Sequence, residues 1–272
     1  MKLSHTFRRL LLTLALSIVA VSALAQTQTA KPFEPQSGQA GKDVVWVPTP
    51  QALVDKMLDM ANVTPQDFVM DLGSGDGRTV ITAAKRGVRA MGIEYNPDMV
   101  TLSQKNAASQ GVTDKATFVK ADLFETDFSK ATVITMFLLP SINIRLRPKI
   151  LDMKPGTRIV SNAFDMEDWQ PDEDATIPNC NQWCKALFWI VPAKAGGTWR
   201  LQQGDLTLTQ TFQMLAGTLG STPITNAKMR GDQITFEAGG AQYTGRVNGE
   251  NMTGTSTSGG KTTNWQATRT RR

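Results

Sequence analysis

The chain has 272 residues, 40% of them hydrophobic and 19% charged, which suits one or two globular domains and excludes wholesale disorder or a collagen-like repeat. Its formal charge of +5 and pI near 9.3 require a nucleic-acid partner to be weighed.

Residues 1–25 have the pattern of a secretory signal peptide. Lys2, Arg8 and Arg9 form a positive start, Leu10 to Ala25 is a run of apolar and small residues, and Ala23-Leu24-Ala25 fits the small-x-small cleavage rule. The run is about 16 residues long, short of the roughly 20 that a spanning helix needs. The expectation is an exported, periplasmic protein with no transmembrane span in its mature chain; an uncleaved membrane anchor is the alternative. Removing Lys2, Arg8 and Arg9 from the 29 basic residues leaves 26 against 24 acidic ones. The basicity therefore belongs largely to the leader, and nucleic acid is not expected as a partner. Arg269, Arg271 and Arg272 suit a frayed tail.

Residues 26–42 are polar, with Pro32, Pro35 and Gly38, and are expected to form a flexible lead. From Asp43 short β-rich runs alternate with helical stretches, the pattern of a parallel sheet with helices on its faces. Thr49 as N-cap and Pro50 at the first helical position predict a helix carrying Leu53, Met57 and Ala61. Predicted strands follow at Phe68 to Leu72, Ala90 to Glu94, Thr117 to Ala121, Thr132 to Leu138, Arg158 to Ser161 and Ala186 to Val191. Predicted helices lie between them, from Arg78, from Asn96-Pro97 and over Asn143 to Met153. Thr198 to Leu201 is a further strand that could close this sheet or open another. Residues 43–197 are taken as one α/β domain and 198–272 as a β-rich domain. In the latter, turn dipeptides such as Gly231-Asp232 and Gly239-Gly240 predict an antiparallel β-meander of roughly five to seven strands.

Asp71-Leu72-Gly73-Ser74-Gly75-Asp76-Gly77 lies between a predicted strand and a predicted helix. Its glycines allow a tight turn and a close approach of backbone N–H groups to a ligand. Glu94 ends the next strand, where an acid can accept both hydroxyls of a ribose, and Asp122 ends the third, within reach of an adenine edge. The spacing is G-x-G-x-G, not the G-x-G-x-x-G of the NAD fingerprint. Cys180 and Cys184 are the only cysteines, and His5 in the leader is the only histidine. That set cannot complete a structural zinc site, and no metal is expected. A local disulfide suits an oxidising compartment; two free thiols and a redox pair are the alternatives.

Val69 to Gly77, Gly92 to Asn96 and Ala121-Asp122 resemble the S-adenosylmethionine (SAM)-binding motifs of class I methyltransferases. Asp43 to Pro50, Phe137 to Pro140, Asn143, Arg147-Pro148 and Pro155 to Asp165 resemble bacterial relatives of the mitochondrial protein-lysine methyltransferases that act on an ATP synthase subunit. The resemblance implies a Rossmann-like seven-stranded sheet, with helices on both faces, that uses SAM. It implies that Asp71, Gly73, Ser74 and Gly75 hold the methionine end, that Gly77 completes the turn, and that Glu94 holds the ribose. Asp122 and Leu123 would hold the adenine, with Thr49 and Pro50 on the cofactor's other side. Leu138, Leu139 and Pro140 would face the transferred methyl group. The F-L-L-P sequence there differs from the N-P-P-Y type of enzymes that methylate adenine or glutamine nitrogen.

Where a Ser-His pair is expected after the fifth strand, the chain has Ser161-Asn162. Asn162 and Asp165 are the candidate catalytic groups, Asn162 orienting an acceptor and Asp165 serving as base. Trp46 and Trp169 could wall the site. The expected function is methyl transfer from SAM to an acceptor, protein or small molecule, that the residues do not identify; a protein lysine is what the subgroup implies. SAM is made in the cytoplasm, so export leaves the cofactor's supply unexplained; Arg8-Arg9 faintly resembles a twin-arginine signal. Two other readings stay open: an exported protein that binds a SAM-like ligand without turnover, and a binding module whose β-meander carries the function.

Overall fold

The structure, a computed structural model, describes residues 33–271; the leader read over residues 1–25 lies outside them. The described residues form four α-helices, α1 (Gln51–Met60), α2 (Arg78–Lys85), α3 (Pro97–Ser109) and α4 (Pro140–Leu151). The first sheet contains β1 (Phe68–Leu72), β2 (Arg89–Glu94), β3 (Ala116–Lys120), β4 (Val133–Met136), β5 (Arg158–Asn162), β6 (Glu173–Thr176) and β7 (Lys185–Ile190). Its order is β3-β2-β1-β4-β5-β7-β6. The first five strands are mutually parallel, while β7 runs antiparallel to both β5 and β6.

Strand alternation divides the core into two layers. Val69, Ala90, Val133 and Val160 face α1, α2 and α3. Met70, Leu72, Ile134, Met136 and Ile159 face the other way, against Ile142, Leu146 and Ile150 of α4. Order reverses between β1 and β4, so a crevice opens at their carboxyl ends, the usual ligand position in such sheets.

Several boundaries differ from expectation. Pro50, not Thr49, is the N-cap residue of α1, and no side chain caps that end. Pro140 is the first residue of α4 and not part of a loop, because its fixed φ suits that position and its missing N–H has no helical partner to lose. The seventh strand of the sheet is β6, whose sequence Glu-Asp-Ala-Thr has no apolar alternation. It is an edge strand, where exposed charge blocks further pairing. Thr198 to Leu201 belongs to the second sheet.

That sheet comprises β8 (Gly197–Leu201), β9 (Gly204–Thr211), β10 (Met214–Leu219), β11 (Thr222–Pro223), β12 (Thr225–Arg230), β13 (Gln233–Ala238), β14 (Ala241–Asn248), β15 (Asn251–Ser258) and β16 (Lys261–Arg271). Neighbouring strands pair antiparallel, β12 pairs with β10 past β11, β16 returns to β8, and β9 pairs with β10, so all but the short β11 form a closed ring. It is a barrel, with more strands than the five-to-seven-stranded meander expected. One missed turn is Phe212-Gln213, where Phe212 takes a left-handed φ of 53° with no glycine to announce it. Trp199, Phe236, Tyr243 and Trp265 fill the interior.

Phe212 also docks the barrel on the α/β unit. Its ring stacks on that of Trp169 with centroids 5.8 Å apart, and the Arg147 guanidinium lies 5.2 Å from its centroid. Beside it the Gln213 side-chain amide donates to the Gln170 carbonyl at 2.8 Å. Phe212→Ala should cost about 2 kcal/mol, less than a fully buried Phe because the ring is only partly enclosed. Urea unfolding followed by tryptophan fluorescence checks this.

Candidate functional site

Asp71 is buried near the end of β1, with 6% of its surface exposed. It pairs in register with Thr135 of β4, whose hydroxyl donates to Asp71 Oδ1 at 2.7 Å. Burial pushes the Asp71 carboxyl up to about 7; the Thr135 hydrogen bond opposes this, and the charges of Asp76 and Glu94 add to it.

The glycine turn follows. The Gly73 and Ser74 N–H groups both donate to the Ile93 carbonyl, which ties the turn to β2. The Gly75 N–H donates to Glu94 Oε2 at 2.9 Å, and the Asn96 N–H donates to Oε1 at 2.9 Å. Two backbone donors thus fix Glu94 at the strand end, while each oxygen keeps acceptor capacity. At Gly75 φ is 53°, and a Cβ there would lie 2.4 Å from Trp46 Nε1. This glycine is required because an indole presses on its Cα.

Trp46 belongs to a strap that roofs the crevice. Its N–H donates to the Gln39 carbonyl at 2.9 Å, and its carbonyl accepts from the Gly38 N–H at 2.8 Å. Lys42 on the same strap donates to Asp122 Oδ2, while the Phe124 N–H donates to Asp122 Oδ1 at 2.9 Å. The Lys42 ammonium holds Asp122 below the usual carboxylate range, and Asp122 in turn raises Lys42. Lys42 also sits 4.8 Å from the Tyr95 ring centroid. Gln39 to Lys42, assigned by sequence to the flexible lead, therefore line the cleft.

The cleft holds about 1050 Å³ including its open mouth. Thr49, Asp71, Gly73, Ser74, Gly75, Glu94, Asp122, Leu123 and Leu138 all line it; Pro50, Gly77, Leu139, Pro140, Asn162 and Asp165 do not. Gly77 completes the turn, its N–H donating to the Ser74 carbonyl at 2.9 Å, and packing also requires it, since a Cβ there would lie 2.7 Å from the Phe118 ring and from Ser103. Asn162 is fully buried, and its amide donates to the Thr49 hydroxyl at 3.2 Å, so it reaches the cleft only through Thr49. Asp165 is exposed and accepts the Glu167 N–H at 3.2 Å. Trp169 lies in the core against Phe212 and Trp189, and only Trp46 of the two tryptophans walls the cleft.

Sequence reasoning missed Lys42, Thr135 and Tyr95. Thr135 could have been found as a hydroxyl inside an apolar strand beside the one that carries the acid. Cys180 and Cys184 are joined by a disulfide.

Carboxylates at three neighbouring strand ends suit an elongated ligand with an ammonium at one end and a diol and a purine amine further along. SAM has that sequence of groups, and the donor set fits it.

The ANTKMT methyltransferase domain family matches residues 71–173. The protein-lysine N-methyltransferase of Saccharolobus islandicus is 45% identical over 141 residues, which cover 51% of this chain and 88% of that protein. A Xenopus laevis lysine N-methyltransferase, named for the ATP synthase component it modifies, is 34% identical over 128 residues, or 47% of this chain; the match spans 56% of that relative. A crystal structure of an RNA methyltransferase from Salinibacter ruber, in complex with S-adenosyl-L-homocysteine, is 45% identical with a TM-score of 0.52 and covers 54% of this chain and 95% of that one. The sheet order, the cleft and these likenesses agree: the chain belongs to the ANTKMT-type family of SAM-dependent methyltransferases, alongside the Saccharolobus protein-lysine N-methyltransferase.

Proposed function

We propose that this enzyme methylates the side-chain amine of a protein lysine, outside the cytoplasm. The observation that carries the lysine reading is the 45% identity to a protein-lysine N-methyltransferase across 88% of that relative. Local charge supports it. Asp165, Glu167 and Asp168 follow the ligand-side end of β5, with Asp168 paired to Arg147, and this loop suits an approaching ammonium and repels phosphate. The name of the Salinibacter relative favours RNA as the second reading.

Asp71 would hold the methionine-end ammonium, Glu94 the ribose hydroxyls and Asp122, in exchange for Lys42, the adenine edge. SAM, when bound, supplies a methyl group on a sulfonium, which is already a good leaving group. The chain's contribution is to align amine and methyl; that positioning is worth several kcal/mol of barrier. Phe137 and Leu138 supply the apolar floor at that point. His5, in the leader pattern, is the chain's single histidine, so the acceptor's proton passes to a carboxylate, a tyrosine or water. Export rests on the leader pattern of residues 1–25 and on the Cys180–Cys184 disulfide, which suits an oxidising compartment.

Transfer of labelled methyl from SAM into an envelope extract tests the acceptor. Label lost to protease and kept through ribonuclease is expected; the opposite pattern would replace lysine with RNA. Fusion of residues 1–30 to a reporter active only in the periplasm tests export, with activity expected.

Asp71 gives a sharper test. Its proton is held more tightly in the folded chain, so fold stability falls as pH rises from about 4 to about 7. Asp71→Asn removes this cost. The ligand-free variant should be more stable than wild type at pH 8, by up to about 4 kcal/mol at ~1.4 kcal/mol per unit, and no more stable at pH 3.5. The same variant should bind S-adenosylhomocysteine at least tenfold more weakly, as expected for loss of a charge-assisted hydrogen bond. Wild-type affinity should weaken as pH drops from 8 to 6, because the ligand's ammonium needs the carboxylate. Calorimetric titration and thermal melts read both effects.

A further inference from the structure

Phe137 leaves β4 and lines the cleft beside Leu138. Two aromatic rings from distant parts of the chain meet it. Phe164, beyond β5, stacks on Phe137 with centroids 5.9 Å apart. Trp183 lies 5.5 Å from Phe137 and 5.4 Å from Phe164. Of the three rings Phe137 lines the cleft itself, and Phe164 and Trp183 pack against it. Trp183 remains 37% exposed, so the cluster keeps an open apolar face.

Each outer ring is held in place by its own device. Ala163 has a φ of 62°, a left-handed conformation that costs a non-glycine residue energy and aims the next side chain. The Phe164 carbonyl accepts the Ser161 hydroxyl at 2.6 Å and the Asn143 amide at 3.3 Å. Trp183 sits inside the loop closed by the Cys180–Cys184 disulfide. That loop is the tip of the β6–β7 hairpin. Because β7 runs antiparallel to β5, the tip falls beside Asn162, at the ligand-binding end of the sheet.

We propose that Phe137, Phe164 and the disulfide-held Trp183 form the wall along which the alkyl stem of the acceptor amine lies, so that acceptor binding requires the Cys180–Cys184 bond. The inference rests on the methyltransferase reading of the cleft and extends it to the acceptor side. Four methylenes and a terminal amine lie flat on aromatic faces, and the neutral amine then reaches the methyl position next to Leu138. Reduction frees the loop, and Trp183 leaves the wall.

The test needs no knowledge of the natural acceptor. Two analogues of S-adenosylhomocysteine serve as probes, each with nitrogen in place of sulfur. One carries an N-methyl group and the other an N-butyl chain that extends along the acceptor path. In oxidised wild type the N-butyl probe should bind about tenfold more tightly than the N-methyl probe, short of what complete burial of its extra methylenes gives. In Trp183→Ala, and in wild type treated with a phosphine reductant, that ratio should fall to near one, with N-methyl affinity unchanged. Trp183→Phe should keep most of the ratio. A ratio of one in oxidised wild type would overturn the proposal, as would an unchanged ratio after both the substitution and the reduction. Failure of both probes to bind oxidised wild type would remove the cofactor-site reading itself, a different result from loss of the ratio alone. The reductant acts on the folded chain, so the test does not depend on the variant folding.

Discussion

Asp71 and Thr135 face each other across β1 and β4, at the place where the strand order reverses. A carboxylate there is almost cut off from water, and hydrogen bonds from the Thr135 and Thr79 hydroxyls do not offset the lost hydration. The ligand-free protein meets this by holding a proton near neutrality. A bound ammonium meets it better, since a counter-charge inside a dry crevice is only weakly screened. The rest of the cofactor side serves this arrangement. The strap from Gln39 to Thr49 excludes water above the carboxylate, Gly75 leaves room for the strap's indole, and Glu94 is fixed by the backbone of the same turn. Stability and binding therefore pull in opposite directions at one side chain.

That side chain was legible because strand, acid and glycine turn are contiguous. Asp71, Glu94 and Asp122 each end an apolar run, and period-2 alternation places those ends without knowledge of the tertiary structure. The roof was not legible. Lys42 meets Asp122 across 80 residues, and its own surroundings are polar and rich in glycine, which locally resembles a flexible lead. Thr49 has the composition of an N-cap, yet its hydroxyl accepts from Asn162, a contact that exists only once β5 lies against the start of α1. For β6 the failure has another cause: an edge strand buries little, so nothing selects an apolar pattern.

The barrel supports the segment that leaves β5 for β6. Closure removes its free edges, and its interior is filled by aromatic side chains. One of its contacts with the α/β unit runs through Phe212 to Trp169, within the stretch that leaves β5 for β6, and another pairs Arg230 with Glu173. Arg147 of α4 holds the same stretch from the other side, donating to the Met166 carbonyl at 2.7 Å. The segment from Phe164 to Asp172 is thus clamped between a helix of the sheet and a turn of the barrel. The barrel acts as a buttress for residues beside the cleft, a role that the sequence of its strands does not announce.

The two sides of the cleft are held by different means, which bears on how each responds to its surroundings. Asp71 and Glu94 on the cofactor side sit on strands whose register is fixed by the sheet. The acceptor side is a convergence of three loops, with Ala163 strained and Trp183 at a hairpin tip. A disulfide spanning so few residues constrains the unfolded chain little, by about 2 kcal/mol on a chain-entropy argument, the low end for such bonds. Its effect on global stability is modest, and its position is what matters: it closes the loop that carries Trp183, the most exposed ring of the proposed wall. Thiol reduction would therefore loosen the acceptor side first and leave the cofactor side intact, and that order follows from where the sheet ends.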